Sequence, residues 1–181
     1  MTQHRDSARE TVLTAYQELL IETNGHGSSL DEVAKRAGLT KGGLLYHFGS
    51  RGALDAALID RLELLVEGEY ERMVGSPGGA AAYYIELAEY LHSPLDRASL
   101  AVGVLAASIP RARDVFSAIR ERYWQLLSDD LGDPILARAA MLMADGLYYE
   151  STTAGGSFRE ELDVTEFLRR MIAERRDPNN G

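Results

Sequence analysis

The chain has 181 residues and is 45% apolar, which is enough to bury the core of one large domain or two small ones. It has no cysteine, which excludes disulfides, thiolate catalysis and cysteine-based zinc sites. This composition suits the reducing cytoplasm, the location that we expect. The polar N-terminus lacks the apolar core of a signal peptide, and the sequence contains no apolar run of 18 residues, so we expect no membrane span.

The net charge of −9 argues against nucleic-acid binding until its distribution is considered. Residues 1–51 hold six Lys and Arg side chains against six Asp and Glu, whereas the rest of the chain holds 13 against 22. The N-terminal segment is therefore neutral, with four basic residues between positions 35 and 51, and the body is acidic. Such a segment can bind DNA by itself, although the same charges would also suit a merely solvated surface.

The apolar residues follow the 3.6-residue period of amphipathic helices, so the sequence predicts an all-α fold of about nine helices. The first helix is predicted over residues 6–24. A capping box of Ser29 and Glu32 predicts the start of the second helix. Gly38 ends that helix after Ala37, because glycine readily adopts the left-handed conformation of a helix end.

Capping residues also mark the later helix starts. Thr40 predicts a third helix over residues 41–47, and Ser50 predicts a fourth that runs to about Met73. Further starts are predicted where a capping residue precedes a proline at the first helical position. Three such pairs occur, at Ser76-Pro77, Ser93-Pro94 and Asp133-Pro134.

Two more helices complete the predicted set. Pro110 predicts the start of one of them. A second capping box, formed by Asp163 and Glu166, predicts a last helix that ends at about Arg176.

The stretch Gly38–Phe48, GLTKGGLLYHF, places a turn and a short helix directly after the second helix. Two helices in this order form a helix-turn-helix, whose second helix enters the DNA major groove with its N-terminal end. Gly42 and Gly43 each cost a helix about 1 kcal/mol relative to alanine. Without side chains, however, they let the backbone approach DNA closely. The alternative is a plain helical hairpin in which the two glycines mark only a tight helix crossing.

The order of a first helix, the segment SSLDEVAKRAGLTKGGLLYHFGSRGALDAAL and an acidic helical body resembles the TetR family of bacterial repressors. The resemblance is strongest over residues 7–60 and extends to the rest of the chain only as architecture. The shared motif is A-x-x-A-G-[VL]-[ST]-x-G-x-L, followed by aromatic residues and then by [ST]-[KR]-x-x-L. Its positions in this sequence are Ala34, Ala37, Gly38, Leu39, Thr40, Gly42, Leu44, His47, Phe48, Ser50, Arg51 and Leu54.

The resemblance implies a DNA-binding domain at residues 1–49 and a helical ligand-binding and dimerisation domain at residues 50–176. The composition of residues 177–181, DPNNG, predicts a disordered tail. The DNA-binding residues that the resemblance implies are Ser29, Thr40, Lys41, Gly42, Gly43, Leu45, Tyr46, His47, Ser50 and Arg51. Within this set, Ser50 and Arg51 would contact phosphate, as would Ser29 or its neighbour Ser28. Leu44 and Phe48 would hold the third helix on the core.

Two positions depart from the family pattern. Leu45 stands where the family usually has tyrosine, and Tyr46 follows it, so either residue could face the groove. Asp31 stands where the family often has a basic residue, which removes one expected phosphate contact.

In this family the C-terminal helices form a ligand pocket, and the last two helices pair across a two-fold axis. Apolar stripes in the last two predicted helices allow such pairing, although they would also suit the core of a single subunit. The stripe residues are Leu136, Ala140, Met143, Ala144, Leu147, Val164, Phe167, Leu168, Met171 and Ile172.

Aromatic side chains with a polar tip can line an apolar pocket and still offer directed hydrogen bonds. The candidate ligand-binding residues of this kind are Tyr84, Trp124 and Tyr148. Asp145 and Glu150 lie close to Tyr148 in the sequence. They would favour a cationic ligand unless they are simply solvated.

Two other function classes stay open. Glu89 and His92 have the Glu-x-x-His spacing of helical di-metal enzymes, but the second copy that such sites need is missing. A helix-turn-helix that serves only protein contacts would fit the small number of basic residues. The sequence nevertheless favours a homodimeric TetR-type repressor that binds a palindromic double-stranded DNA operator and is released by a small-molecule ligand. We expect no enzyme activity, no metal, no cofactor and no membrane partner.

Overall fold

The computed structural model describes residues 2–87, 92–153 and 164–176, and these residues form nine α-helices without a strand, as predicted. The helices are α1 (Thr2–Thr23), α2 (Leu30–Arg36), α3 (Lys41–Phe48), α4 (Arg51–Val74), α5 (Gly79–Leu87), α6 (Pro94–Ala106), α7 (Pro110–Leu131), α8 (Pro134–Thr153) and α9 (Val164–Arg176). None of them, within these described ranges, combines the length and apolar composition that a membrane span requires.

Side-chain caps fix the ends of the N-terminal helices. The Ser29 hydroxyl accepts a hydrogen bond from the Glu32 N–H, and the Glu32 carboxylate accepts one from the Ser29 N–H at 3.0 Å, which confirms the predicted capping box. The Thr40 hydroxyl accepts the Gly43 N–H at 3.1 Å and begins α3. Gly38 follows α2 with a φ of +70°. These local bonds explain why the first four helices divide where the sequence predicts.

Three of the four helix starts that were predicted at a proline are confirmed. Pro94, Pro110 and Pro134 each begin a helix. The predicted start at Pro77 is wrong, because α5 begins only at Gly79. There the Gly79 N–H donates to the Ser76 carbonyl at 2.9 Å, and Pro77 becomes the second residue of a turn, a position that suits its fixed φ. The predicted cap at Asp163 and the predicted tail at residues 177–181 lie outside the described residues.

The first compact unit contains Met1–Val66 and His92–Phe116, and so joins α1–α3 and most of α4 with α6 and the start of α7. Its fully buried large side chains are Tyr16, Leu20, Leu44, Leu54, Leu58, Ile59 and Leu62. Ion pairs add to this apolar core. Arg97 of α6 pairs with Glu18 of α1, and Arg111 of α7 donates to Asp60 and Glu63 of α4 at 2.6 and 2.7 Å.

The second compact unit contains Glu67–Leu91 and Ser117–Gly181. Its fully buried large side chains are Met73, Ile85, Leu127, Met141 and Leu168. Within it α5 packs on α8 and on α9. The first turn of α5 is held by Asp130, whose carboxylate accepts the Ala81 N–H at 2.8 Å. The functional boundary expected between residues 49 and 50 stays a prediction.

We predict that Leu44→Ala destabilises the first unit by about 2–5 kcal/mol, because it leaves a cavity where a fully buried side chain packed. Leu64→Ala makes the same chemical change at a side chain that is 76% exposed, and it should shift stability by no more than about 0.5 kcal/mol. Urea denaturation followed by circular dichroism measures both effects. Equal midpoints for the two variants would contradict the buried position of α3.

Candidate nucleic-acid interface and ligand-binding residues

The helix-turn-helix of α2 and α3 has one buried and one exposed side. Val33 and Ala34 of α2 and Leu44 and Phe48 of α3 are buried. Leu44 and Phe48 are four residues apart and therefore share one face of α3. They hold the helix on the core as predicted, and the opposite side of α3 is left open to solvent.

Gly42 lies in open space at the N-terminal end of α3. A Cβ built on Gly42 would meet only the Thr40 hydroxyl, at 3.9 Å, and one built on Gly43 would meet that hydroxyl at 3.4 Å. Neither glycine has a positive φ. Internal packing therefore gives no reason for glycine at position 42, and the tight helix crossing considered as an alternative does not explain it. A close approach of DNA to Gly42 stays a prediction.

Tyr46 presents the largest side chain on the open side of α3. It is 68% exposed, and its ring makes a T-shaped contact with His47, with 5.4 Å between the ring centroids. Leu45 is half-buried. Of the two residues that the sequence left as candidates for the groove, Tyr46 thus has the larger accessible surface.

Three of the four basic residues between positions 35 and 51 are paired with carboxylates of the same unit. Lys41 Nζ lies 2.9 Å from Asp31 Oδ2, and Arg51 Nε lies 3.2 Å from Asp55 Oδ1. Arg36 makes two bonds of 2.5 Å to the carboxylate of Glu22 and lowers the pKa of that carboxyl group. Carboxylates of the same unit therefore neutralise most of the basic cluster between positions 35 and 51.

Arg51 connects three parts of the first unit. Its guanidinium lies over the ring of Tyr16 in α1, 4.5 Å from the centroid, and it donates to the carbonyl and the hydroxyl of Ser28. The Tyr16 hydroxyl donates to Asp55, and burial together with this bond raises the pKa of Tyr16. The network therefore fixes the start of α4 against α1 and against the loop before α2.

The side chains predicted to contact phosphate already have hydrogen-bond partners within the unit. Ser28 is buried, so its hydroxyl is not open to a phosphate. Ser29 and Ser50 are exposed, but their hydroxyls accept the N–H groups of Glu32 and Ala53 as helix caps. Sequence reasoning missed the contribution of Tyr16 and Asp55, which are 39 residues apart and show no local signal.

Three tyrosine rings from three helices meet in the second unit. Tyr123 of α7 makes edge contacts with Tyr70 of α4 and with Tyr84 of α5, with ring centroids 5.1 and 5.0 Å apart. Burial raises the pKa of all three phenols, that of Tyr70 to about 12. We call these three residues the tyrosine cluster. Tyr84 was predicted at a ligand site, whereas Tyr70 and Tyr123 were not among the predicted ligand-binding residues.

Two carboxylates adjoin the tyrosine side chains of this unit. The Tyr84 hydroxyl donates to Asp145 at 3.1 Å, and Arg120 donates to the other oxygen of Asp145 at 2.7 Å. The buried Glu69 accepts bonds of 2.5 Å from Tyr83 and from Arg72. Each carboxylate is thus balanced by one arginine.

The other predicted ligand-binding residues have different surroundings. Trp124 is half-buried, and its indole N–H donates to the Pro134 carbonyl at the start of α8, at 3.2 Å. Tyr148 is half-buried on α8, and Glu150 is exposed. Of the suggested metal pair, His92 is exposed and Glu89 lies outside the described residues. Within the described ranges no three His, Cys, Asp or Glu residues are grouped so that they could hold a metal ion.

Residues 12–58 match the model of the bacterial regulatory proteins of the tetR family. This segment includes most of α1, all of α2 and α3, and the first part of α4. The curated HTH-type transcriptional activator FasR of Mycolicibacterium smegmatis is 37% identical over 65 residues, which are 35% of this chain and 30% of the relative. The match thus spans about a third of the length of that relative.

Solved structures share the fold over nearly the whole chain. NalD, the secondary repressor of the MexAB-OprM multidrug efflux pump in Pseudomonas aeruginosa, is 20% identical with a TM-score of 0.62, and the match covers 97% of this chain and 99% of NalD. The multidrug binding protein EbrR, complexed with malachite green, is 20% identical with a TM-score of 0.64 over 92% and 96% of the two chains. A transcriptional regulator of Rhodococcus sp. Rha1 is 23% identical with a TM-score of 0.61 over 92% of each chain.

At these identities the solved structures establish the fold, and the match at residues 12–58 covers the helix-turn-helix itself. The helix-turn-helix segment is therefore similar to the bacterial regulatory proteins of the tetR family, and the described helices share the fold of solved transcriptional regulators.

Proposed function

We propose that this protein is a transcription regulator of the tetR family, a repressor that binds a palindromic operator as a homodimer and is released by a small molecule. The observation that carries the proposal is the open side of α3, where Lys41, Gly42 and Tyr46 are exposed while Leu44 and Phe48 anchor the helix from behind. We also propose that it acts in the cytoplasm, without a membrane partner.

The N-terminal half of α3 is suited to the major groove. Gly42 lets the backbone approach the base edges, and Lys41 offers a cation to a phosphate. Tyr46 and His47 offer hydrogen-bond donors and aromatic surface to the bases. Thr40, Gly43, Leu45 and the capped serines Ser29 and Ser50 complete the proposed contact surface, with Arg51 fixing its geometry.

Exposed apolar side chains on α8 and α9 support dimerisation. Ile135, Leu142 and Tyr149 of α8 are exposed and are seven residues apart, so they lie on one face of the helix. Phe167 of α9 is exposed as well. Such a face is stabilised when it is buried against a second copy, and a two-fold pair would present two recognition helices to two half-sites.

The tyrosine cluster supports a ligand site for an aromatic compound. EbrR, which shares the fold, has been solved with malachite green and with ethidium, both of which are aromatic cations. Tyrosine faces and nearby carboxylates suit such ligands. Because Asp145 and Glu69 are each paired with an arginine, a cation that binds beside Tyr84 competes with Arg120 for Asp145. Trp124 and Tyr148 stay as further proposed ligand contacts.

The sign of regulation is testable with a reporter gene. NalD is a repressor and FasR an activator. Repression here predicts that deleting the protein raises transcription from its own operator. A fall in transcription on deletion would instead favour an activator.

We predict that Lys41→Ala weakens operator binding and lowers the salt slope by about 0.9 per subunit, because one phosphate contact is lost. The wild type should show about four to eight phosphate contacts per dimer, at about −0.9 each. Arg122→Ala on the exposed part of α7 removes the same charge elsewhere and serves as the control. Fluorescence anisotropy at several salt concentrations provides the measurement. Equal effects of the two variants would place the DNA contact elsewhere.

Tyr46→Ala should change the preference among operator variants as well as the affinity, because Tyr46 would face the bases. Tyr46→Phe keeps the ring and removes only the hydroxyl, so it separates stacking from hydrogen bonding. Competition between operator variants in a band-shift assay reads out the preference. An unchanged order of preference in Tyr46→Ala would remove Tyr46 from the base-reading set.

We predict that replacing Phe167 and Met171 together by glutamate gives monomers, since it places like charges in a buried seam between two copies. Leu142→Glu on α8 tests the same interface at an exposed position where folding is not at risk. Leu64→Glu, at an exposed leucine of α4, is the control. Light scattering should show monomers for the first two proteins and dimers for the control. A dimeric Leu142→Glu variant that still binds its operator tightly would move the interface away from α8.

We predict that ethidium or malachite green binds this protein and that saturating operator weakens the binding by a factor of about 5–150, the usual range of coupling between two sites. Tyr84→Ala should abolish the binding, whereas Leu64→Ala, at an exposed leucine of α4, should preserve it. Isothermal titration with and without operator measures the coupling. Equal affinities in the two titrations would mean that the dye is not an inducer.

A further inference from the structure

We propose that Asp31 controls how well this regulator distinguishes its operator from other DNA, by competing with phosphate for Lys41. The inference rests on the proposed DNA-binding function and adds a specificity-determining residue to it. It concerns a carboxylate at a position where a DNA-binding surface would be expected to carry positive charge.

The pair bridges the two helices of the helix-turn-helix at their N-terminal ends. Asp31 is the second residue of α2, and Lys41 is the first residue of α3. Lys41 Nζ lies 2.9 Å from Asp31 Oδ2, while the two side chains are 52% and 68% exposed. A phosphate that approaches Lys41 therefore meets the Asp31 carboxylate at the same place.

The exposure of the pair decides how it behaves. Exposed ion pairs are weak, so a well-placed phosphate can open this one. Two further cations near α3, which would attract DNA of any sequence, are also paired with carboxylates. Arg36 is paired with Glu22, and Arg51 is paired with Asp55. Loose electrostatic attraction, which supplies nearly all of non-specific binding, is therefore reduced at this surface.

Specific and non-specific complexes differ in what they do to the pair. On random DNA no base contact holds a phosphate next to Lys41, so Lys41 stays with Asp31 and contributes little. On the operator, contacts made by Tyr46 and His47 fix the register, and a phosphate is held where it displaces Asp31. Asp31 thus reduces the contribution of Lys41 to binding affinity mainly in complexes with random DNA.

The test compares Asp31→Asn with the wild-type protein on two duplexes of equal length, one carrying the operator and one of random sequence. The variant should bind random DNA about 3–10-fold more tightly, with a salt slope steeper by about 0.9 per subunit, since Lys41 becomes free to neutralise a phosphate. Operator affinity should rise less, so the ratio of the two affinities falls. Asp129→Asn on the exposed part of α7 makes the same change of charge elsewhere and should alter neither slope.

A double variant isolates the pair from a general charge effect. In a Lys41→Ala background, Asp31→Asn should no longer steepen the salt slope, because the cation that it would release is absent. Urea denaturation of each variant checks that α2 is intact, as Asp31 also lies in the favourable first turn of that helix. An unchanged slope in Asp31→Asn, with wild-type protein that binds its operator, would overturn this inference alone. Failure of the wild type to bind any DNA would overturn the proposed function with it.

Discussion

The network around Arg51 is the constraint on which the helix-turn-helix depends. The eight-residue helix α3 is too short to be stable by itself, so its position is set by what surrounds it. Arg51, Asp55 and Tyr16 tie the start of α4 to α1, and the bonds from Arg51 to Ser28 extend this tie to the loop before α2. The buried Leu44 then locates α3 on this frame. Arg51, which we expect at a phosphate, thus stiffens this surface as well, and its phosphate contact stays a prediction.

The sequence predicted those features that depend on residues close together in the chain. Capping by Ser29, Thr40 and Ser93 depends on residues three apart, and the structure shows each bond. The start at Pro77 failed because two glycines follow it and let the chain close a turn first. The tyrosine cluster and the pairing of Asp31 with Lys41 could not be predicted, since their members come from different helices and nothing in the local pattern joins them.

In both units, charged side chains are paired with side chains of opposite charge. In the first, carboxylates neutralise the cations closest to α3, and in the second, Arg72 and Arg120 neutralise Glu69 and Asp145. Under the proposed function, Lys41 would exchange Asp31 for a phosphate, and Asp145 would exchange Arg120 for a cationic ligand. An exchange keeps the charge of the site constant, and so avoids the large cost of leaving a buried or half-buried carboxylate without a partner.

Folding does not require a glycine at position 42, because the space around it is empty, whereas the proposed DNA contact does. Alanine there would meet no obstacle inside the protein and would favour the helix by up to about 1 kcal/mol. Laboratory evolution that rewards heat resistance alone should therefore drift toward alanine at this position, at the expense of the DNA contact that we propose for Gly42. Libraries built to stabilise this scaffold need Gly42 held constant, just as a designer of new operators would vary the side chains beside it and leave the bare backbone in place.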